Sequence, residues 1–309
     1  MQRKIAFMGT PNFCLPILKN IYQNGYDVSA VYTQPPKKSN RGYKIEKSPV
    51  HLLSETLDIN VRTPDQLKNN KSEYEYFKNL ELDLVIIVAY GKIVPKEFLP
   101  LSKNGFINLH ASILPKWRGA APIQRSIMSQ DKETGISVMK INENLDEGDI
   151  SHIFKINIEE NENAQSLGER LSILASKNIS DVIDGILDKE INFKPQDHSK
   201  ATYAEKIKKV EGLIDWSDSA ENIIGKINGL YPYPGGYFLF KGERYKILKA
   251  EKSFSKENPG KVVTNDLEIS CGANSIKVLE IQREGKKSQK INEFMSGSQI
   301  LKGTNLFDV

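Results

Sequence analysis

A regular alternation of strand-like and helix-like segments over the first 190 residues is the feature that most constrains the fold. The apolar run at 4–8 ends at Gly9, and Thr10 and Pro11 then supply an N-cap and a first helical residue. The continuously apolar run at 84–89 is typical of a parallel strand covered on both faces. We therefore predict an α/β domain with a doubly wound, mostly parallel sheet, whose ligands bind beyond the carboxyl ends of the strands.

The pattern changes after Trp216 to short strand-like pieces separated by turn signals, from about residue 236 to residue 281. Such spacing predicts a small antiparallel β-barrel or sandwich. A chain of 309 residues is long enough for two domains. We predict domain boundaries at 1–190 and 209–309, with a linker at 191–208.

Composition excludes several classes of protein. Hydrophobic residues at 39% and charged residues at 27% describe a folded chain rather than a disordered one. The two cysteines, Cys14 and Cys271, have no paired spacing, so neither a disulfide framework nor a thiolate metal site is predicted. The longest apolar run, at 84–90, is too short to span a membrane, and the first strand begins too early for a signal peptide. We expect a cytoplasmic protein.

The formal net charge of +4 is unevenly distributed. Residues 1–190 hold 24 basic and 24 acidic side chains, whereas residues 191–309 hold 19 and 15. A second basic cluster lies in a segment that we predict to be a long exposed loop, and it comprises Lys37, Lys38, Arg41, Lys44 and Lys47. Both regions fit an ordinary solvated surface or a polyanion-binding surface.

Asn108 and His110 stand two apart on a predicted strand, so both side chains point to one face. One interpretation is a polar strand end that bonds local backbone. The other is a reaction site, because an amide donor beside an imidazole can stabilise an oxygen that becomes negative in a tetrahedral intermediate.

The acidic turn at 142–149 is either a solvated loop or a source of a carboxylate for His110. The residues themselves leave Asp146 and Asp149 as equal candidates. The turn lacks the ligand pattern of a calcium loop, and no nucleotide-binding, GxSxG or HExxH motif occurs in the chain. We predict no metal site.

The segment HASILPKWRGAAPIQ at 110–124, with Asn108 before it and LDEGDI at 145–150 after it, resembles the signature of the folate-dependent formyltransferases. Within that family the likeness is strongest to the branch that acts on methionyl-tRNA. It extends to MGTPNF at 8–13, VAYGKIVP at 88–95 and YPYPGG at 231–236, and covers nearly the whole chain.

The resemblance implies a Rossmann-like catalytic domain followed by a barrel similar to an OB fold that helps to hold tRNA. It implies 10-formyltetrahydrofolate as the formyl donor and the α-amino group of methionine on initiator tRNA as the acceptor. It also implies a monomer that needs no metal.

The family's site residues carry over to matching positions. The catalytic trio falls on Asn108, His110 and Asp146, which decides between the two acids by analogy only. The predicted folate contacts are Ser112, Ile113, Leu114, Pro115, Val88, Tyr90 and Gly91, with Ile113 where the family has Leu. The predicted tRNA contacts are Lys38, Arg41, Lys44, Lys206, Lys208 and Lys209. Many relatives have Lys where this chain has Tyr43, which removes one charge from that loop.

Three alternative functions use the same observations. A 10-formyltetrahydrofolate hydrolase would use the trio with water as acceptor, and a sugar-nucleotide N-formyltransferase would need a different C-terminal domain. The basic segment at 37–47 argues against both. An RNA-binding module without catalysis would leave Asn108 and His110 without a role.

Overall fold

The computed structural model describes residues 3–39 and 44–307. The chain divides into two compact units. The first comprises Met1–Gly119, Gly135–Ile156 and Gly168–Tyr203, and the second comprises Ala120–Thr134, Asn157–Leu167 and Ala204–Val309. The domain boundaries given above stay predictions.

The part of the chain up to residue 187 alternates strands and helices. The strands are β1 (Lys4–Gly9), β2 (Asp27–Tyr32), β3 (Lys37–Ser39), β4 (Lys44–Glu46), β5 (Val61–Arg62), β6 (Leu84–Val88), β7 (Phe106–His110), β8 (Arg118–Gly119), β9 (Glu133–Lys140) and β10 (Ile150–Asn157). The helices are α1 (Leu15–Gln23), α2 (Pro49–Thr56), α3 (Lys71–Asn79), α4 (Pro122–Met128) and α5 (Ala164–Leu187), with short 3-10 helices at Asn12–Cys14 and Lys96–Leu101.

The main sheet has seven strands in the order β10-β9-β7-β6-β1-β2-β5. The five strands from β7 to β5 are parallel, and β9 runs antiparallel to β7. Every residue of β6 is buried, as its unbroken apolar sequence predicts. The predicted Rossmann-like, mostly parallel sheet is confirmed. Its topology brings the carboxyl ends of β1, β6 and β7 to one edge.

Within the first unit, helix α5 carries a row of serines spaced four residues apart that bond the N-terminal segment. The hydroxyl groups of Ser172 and Ser176 donate to the carbonyl oxygens of Phe13 and Pro16, and that of Ser180 donates to Asn20 Oδ1. Because residues four apart share one face of a helix, these bonds hold α5 along the N-terminal 3-10 helix and α1.

One prediction is wrong. The basic segment predicted to be an exposed loop contains a two-stranded antiparallel hairpin, in which Lys37 of β3 pairs with Glu46 of β4. Two strands of three residues each are too short to produce a recognisable alternation of apolar and polar residues. Arg41 and Tyr43 lie outside the described residues, as do the side chains of Lys38 and Lys44.

The second unit contains a mostly antiparallel sheet in the order β12-β13-β15-β14, with β16 paired to β15. Its elements are β12 (Gly236–Phe240), β13 (Glu243–Ser253), β14 (Glu268–Ser270), β15 (Ser275–Arg283), β16 (Gln289–Lys290), α6 (Ala220–Gly229) and α7 (Ile291–Met295). The intervening segments are β11 (Tyr203–Ala204) and 3-10 helices at His198–Lys200 and Lys209–Gly212. The predicted antiparallel β domain is confirmed.

Within the second unit, α4 packs closely against α6 at two glycines of α6. A Cβ at Gly229 would lie 2.9 Å from the carbonyl oxygen of Gln124, and one at Gly225 would lie 3.1 Å from that of Met128. The missing side chains therefore permit close contact between the two helices. No helix among the described residues is long and apolar enough to cross a membrane.

Candidate active site

The predicted site lies where β7 ends, in the first unit. Three residues at this edge of the sheet adopt a left-handed backbone without being glycine, namely Ala89 (φ 45°), Trp117 (φ 63°) and Asp146 (φ 51°). Such conformations cost of order 1–3 kcal/mol each and persist only where surrounding contacts enforce them. All three positions belong to segments that form the site or border it.

His110 is 6% exposed and is held from both sides of its ring. Its Nε2 lies 2.8 Å from the carbonyl oxygen of Trp117, and its Nδ1 lies 3.6 Å from Asp146 Oδ2. A carbonyl oxygen can only accept a hydrogen bond, so Nε2 must carry a hydrogen. Proton exchange at this ring is therefore confined to Nδ1, the nitrogen that faces the carboxylate.

Asp146 is positioned by backbone as well as by His110. The backbone N–H of Gly119 donates to Asp146 Oδ2 across 2.8 Å. Of the two acids that the sequence leaves open, the structure brings Asp146 to the imidazole. The carboxylate thus lies within ion-pair distance of the His110 ring.

Asn108 lies two residues before His110 on β7, on the same face, between Ile87 of β6 and Met139 of β9. It is half-buried, and its side-chain amide makes no hydrogen bond to any residue within the described ranges. An amide donor beside the His110–Asp146 pair is therefore available to a ligand.

The predicted folate segment forms a compact turn whose polar atoms are already used. The Ser112 hydroxyl donates to the carbonyl oxygen of Lys116 at 2.6 Å. Ser137 Oγ donates to the Ser112 carbonyl oxygen at 2.7 Å and accepts from the Leu114 N–H at 3.0 Å. Ser112 and Leu114 are buried, whereas Ile113 and Pro115 are half-buried. Those two side chains offer the apolar surface on which a ligand can lie.

The predicted folate contacts after β6 are also buried or already hydrogen-bonded within the protein, with Gly91 as the exception. The Tyr90 side chain is 1% exposed and packs in the core, so only its backbone remains near the edge. Its carbonyl oxygen accepts from Thr10 Oγ1 at 3.0 Å and from Gln34 Nε2 at 3.1 Å. The Val88 carbonyl oxygen accepts from Cys14 Sγ, and burial raises the pKa of that thiol to about 12. Gly91, with φ 73°, follows as an exposed position.

Two family models match the chain. Residues 3–183 match the formyl transferase model, and residues 206–299 match the model of the formyl transferase C-terminal domain. The chain belongs to the formyl transferase family. It shares 60% identity over 310 aligned residues with methionyl-tRNA formyltransferase of Pelagibacter ubique, with full coverage of both chains.

Other formyl transferases agree in sequence or in fold. A methionyl-tRNA formyltransferase of Caldanaerobacter subterraneus is 41% identical and covers 98% of this chain and 99% of its own. Among solved structures, a sugar 3N-formyl transferase has a TM-score of 0.67 at 18% identity, covering 93% of this chain and all of its own. HypX from Aquifex aeolicus has a TM-score of 0.66 at 14% identity, covering 98% of this chain and 49% of its own. These last two likenesses show the fold.

Sequence reasoning missed several residues of the candidate site of this formyl transferase. The Trp117 carbonyl oxygen bonds His110, and Ser137 bonds the turn after β7. Gln196 accepts from Arg118 and donates to the Asp146 carbonyl oxygen. Gln196 falls in a stretch that shows no pattern beyond polarity. No local signal identifies it, because its partners lie about 50 residues earlier in the chain.

The predicted tRNA contacts fall in two places. Lys38 and Lys44 belong to the β3–β4 hairpin of the first unit. Lys206, Lys208 and Lys209 are exposed in the second unit. No group of three or more His, Cys, Asp or Glu side chains that could hold a metal ion occurs within the described part of the chain.

Proposed function

We propose that this formyl transferase transfers the formyl group of 10-formyltetrahydrofolate to the α-amino group of methionine on initiator tRNA. The observation that carries the proposal is the Asn108 amide, which has no hydrogen-bond partner among the described residues, beside the His110–Asp146 pair at the ligand-binding edge of the sheet. The 60% identity to an enzyme of that name over the whole chain supports the choice of acceptor.

The acceptor is a good nucleophile without a strong base. An α-amino group titrates near 7.7–8.0, so about a tenth or more of it is neutral at pH 7. Its attack on the formyl carbon forms the new C–N bond and places negative charge on the formyl oxygen. The Asn108 amide donates a hydrogen bond to that oxygen, and such donors contribute roughly 3–4 kcal/mol to transition-state stability.

His110 and Asp146 stabilise the developing negative charge and transfer protons. With Nε2 fixed by Trp117, the ring is either a cation opposite the carboxylate or a neutral base with its lone pair on Nδ1. The cation stabilises the developing oxyanion. The pair then takes the proton lost by the attacking nitrogen and returns one to the folate nitrogen that leaves, so protons balance over the cycle.

The residues present fit a folate co-substrate. The half-buried Ile113 and Pro115 offer an apolar surface, and the Asn108 amide, which bonds no residue in the described part of the chain, offers a donor for a polar group. Backbone atoms of Val88, Tyr90 and Gly91 border the same edge. We include these residues, with Ser112 and Leu114 as buried supports of the turn, in the proposed folate site.

The basic residues complete the proposal. Lys38, Arg41 and Lys44 in one unit, and Lys206, Lys208 and Lys209 in the other, are proposed to contact tRNA phosphates. We also propose that the enzyme acts as a monomer in the cytoplasm.

An acceptor panel tests the proposed function. Formyl release from 10-formyltetrahydrofolate would be followed with initiator Met-tRNA, uncharged tRNA, dTDP-amino sugars and water alone. We expect rapid transfer to Met-tRNA only. Faster release to water would indicate a hydrolase, transfer to an amino sugar would indicate a sugar N-formyltransferase, and either result would overturn the proposal.

A further inference from the structure

A buried arginine, Arg118, and a buried glutamine, Gln196, bond each other and the loop that carries Asp146. Arg118 is 1% exposed, and its Nε and Nη2 donate to Gln196 Oε1 at 3.1 and 2.8 Å. Its Nη1 lies 3.2 Å from Glu147 Oε1. A guanidinium has donors only, so it determines which end of the Gln196 amide is oxygen and leaves the NH₂ end facing away from Arg118.

That NH₂ end holds the loop that carries Asp146. Gln196 Nε2 donates to the carbonyl oxygen of Asp146 and to that of Gly148, both at 2.8 Å. One amide thus bonds the backbone on either side of Glu147. Glu147 is itself paired with Arg118, so the loop is fixed at three successive residues.

Asp146 needs this support because its backbone is strained. Its φ of 51° is unfavourable for a residue with a side chain, and its carboxylate must stay near both the Gly119 N–H and the His110 ring. A hydrogen bond from Gln196 to the Asp146 carbonyl opposes relaxation of the strained backbone. Movement of the loop would lengthen the 3.6 Å approach to His110 Nδ1.

We propose that Gln196, oriented by Arg118, is a positioning residue that holds the Asp146 carboxylate at His110 during formyl transfer. This inference rests on the proposed function. Gln196 touches no reacting atom, so its loss should affect the chemical step rather than substrate binding.

The test is Gln196→Glu, which retains oxygens for Arg118 but offers no donor to the two loop carbonyls. We expect kcat for formyl transfer to Met-tRNA to fall about 10- to 100-fold, because a misplacement near 1 Å can cost that much, while KM changes by about twofold or less. The kcat–pH profile should take the shape of that of Asp146→Asn. Gln130→Glu, the same exchange at an exposed position in the second unit, should match the wild type.

The outcomes of this test distinguish an error in the proposed function from an error in the positioning role. If the wild type does not formylate Met-tRNA, the proposed function is wrong. If the wild type is active and Gln196→Glu keeps its kcat and pH profile, the positioning role is wrong. If Gln196→Glu does not fold, as judged by its circular dichroism and melting, Arg118→Lys decides instead. Lys keeps the charge opposite Glu147 but lacks the fork that orients Gln196, so it should lower kcat in the same way, and an unchanged kcat would refute the proposal.

Discussion

Trp117 acts on the site through its backbone. Its φ of 63° aims the carbonyl oxygen at His110 Nε2, and its N–H donates to Thr202 Oγ1 at 2.9 Å. A bulky residue in this conformation is strained, and the Thr202 bond helps to retain it. The strained carbonyl thereby determines which ring nitrogen exchanges protons.

Asn108→Ala tests the oxyanion donor. We predict a fall in kcat of about 10²–10³, the usual cost of one such donor, with little change in KM for Met-tRNA. Initial rates at saturating folate would measure it. Asn24→Ala, at an exposed position at the end of α1, serves as the control. A kcat equal to that of the wild type would remove Asn108 from the mechanism.

At the residue scale, strand alternation predicted that Asn108 and His110 share a face, because a period of two needs no tertiary information. The choice between Asp146 and Asp149 could not be made in this way. It depends on a left-handed backbone at Asp146 and on a hydrogen bond from Gly119, 27 residues away. Short-range patterns contain neither.

At the element scale, the acidic turn is fitted tightly against the end of β9. A Cβ at Gly148 would lie 1.8 Å from the carbonyl oxygen of Lys140, which is backbone and cannot rotate away. Gly148→Ala should therefore displace the loop, lower kcat at least about 10-fold and lower the melting temperature. Kinetics and thermal denaturation would measure both effects.

Gly297→Ala is the matched control, because a Cβ there meets nothing within 4 Å. It should leave both quantities unchanged. A fully active, equally stable Gly148→Ala would show that the loop has more freedom than the structure indicates.

Helix α3 is joined to the sheet by Glu73, which is 4% exposed. Burial raises the pKa of this carboxyl group, but hydrogen bonds from Arg62 and Tyr32 outweigh it and leave the pKa below the ordinary value of 4.5. A lowered pKa stabilises the fold above the ordinary value, and this stabilisation is lost as pH falls through the folded-state pKa.

Glu73→Gln should therefore reduce the free energy of unfolding at pH 7 by about 1–2 kcal/mol and flatten its decline below pH 4.5. Urea denaturation across that range would measure it. Glu75→Gln, at an exposed position on the same helix, is the control. An unchanged pH dependence in Glu73→Gln would contradict this role.

Elements with strong periodicity were predictable, whereas those defined by distant partners were not. The sheet of the first unit follows from apolar runs such as that of β6. The β3–β4 hairpin is too short to show a pattern. The segment predicted to be a linker, at 191–208, shows no pattern beyond polarity, yet Lys194 exchanges backbone hydrogen bonds with Ile150, and the Thr202 carbonyl oxygen accepts from the Arg118 N–H. The partners in these bonds are distant in the sequence, so no local pattern predicts them.

At the scale of the whole molecule, basic side chains gather in two places, the segment 37–47 of the first unit and Lys206, Lys208 and Lys209 of the second. If they contact tRNA phosphates, log Kd for Met-tRNA should rise linearly with log salt concentration. Neutralising Lys206, Lys208 and Lys209 together should weaken binding and reduce that slope by up to about 3, because each lysine that neutralises a phosphate contributes about one to it. Filter binding over a salt series would measure it.

Lys19→Ala, at an exposed position on α1, is the control for this charge prediction. The kcat at saturating Met-tRNA should be retained in the triple variant, because these residues lie outside the catalytic trio. A Kd and slope equal to those of the wild type would show that these lysines belong to an ordinary solvated surface.

The central claim is that His110 and Asp146 act as one unit in formyl transfer to Met-tRNA. Single-turnover transfer from labelled 10-formyltetrahydrofolate, with folded His110→Ala, Asp146→Asn and the double variant, tests it most directly. When two residues act as one unit, the effects of their substitutions on the rate are not additive in free energy. We predict that each single variant is slower by about 10² or more, and that the double variant is about as slow as the slower single one. Wild-type rates, or losses that multiply in the double variant, would contradict the account.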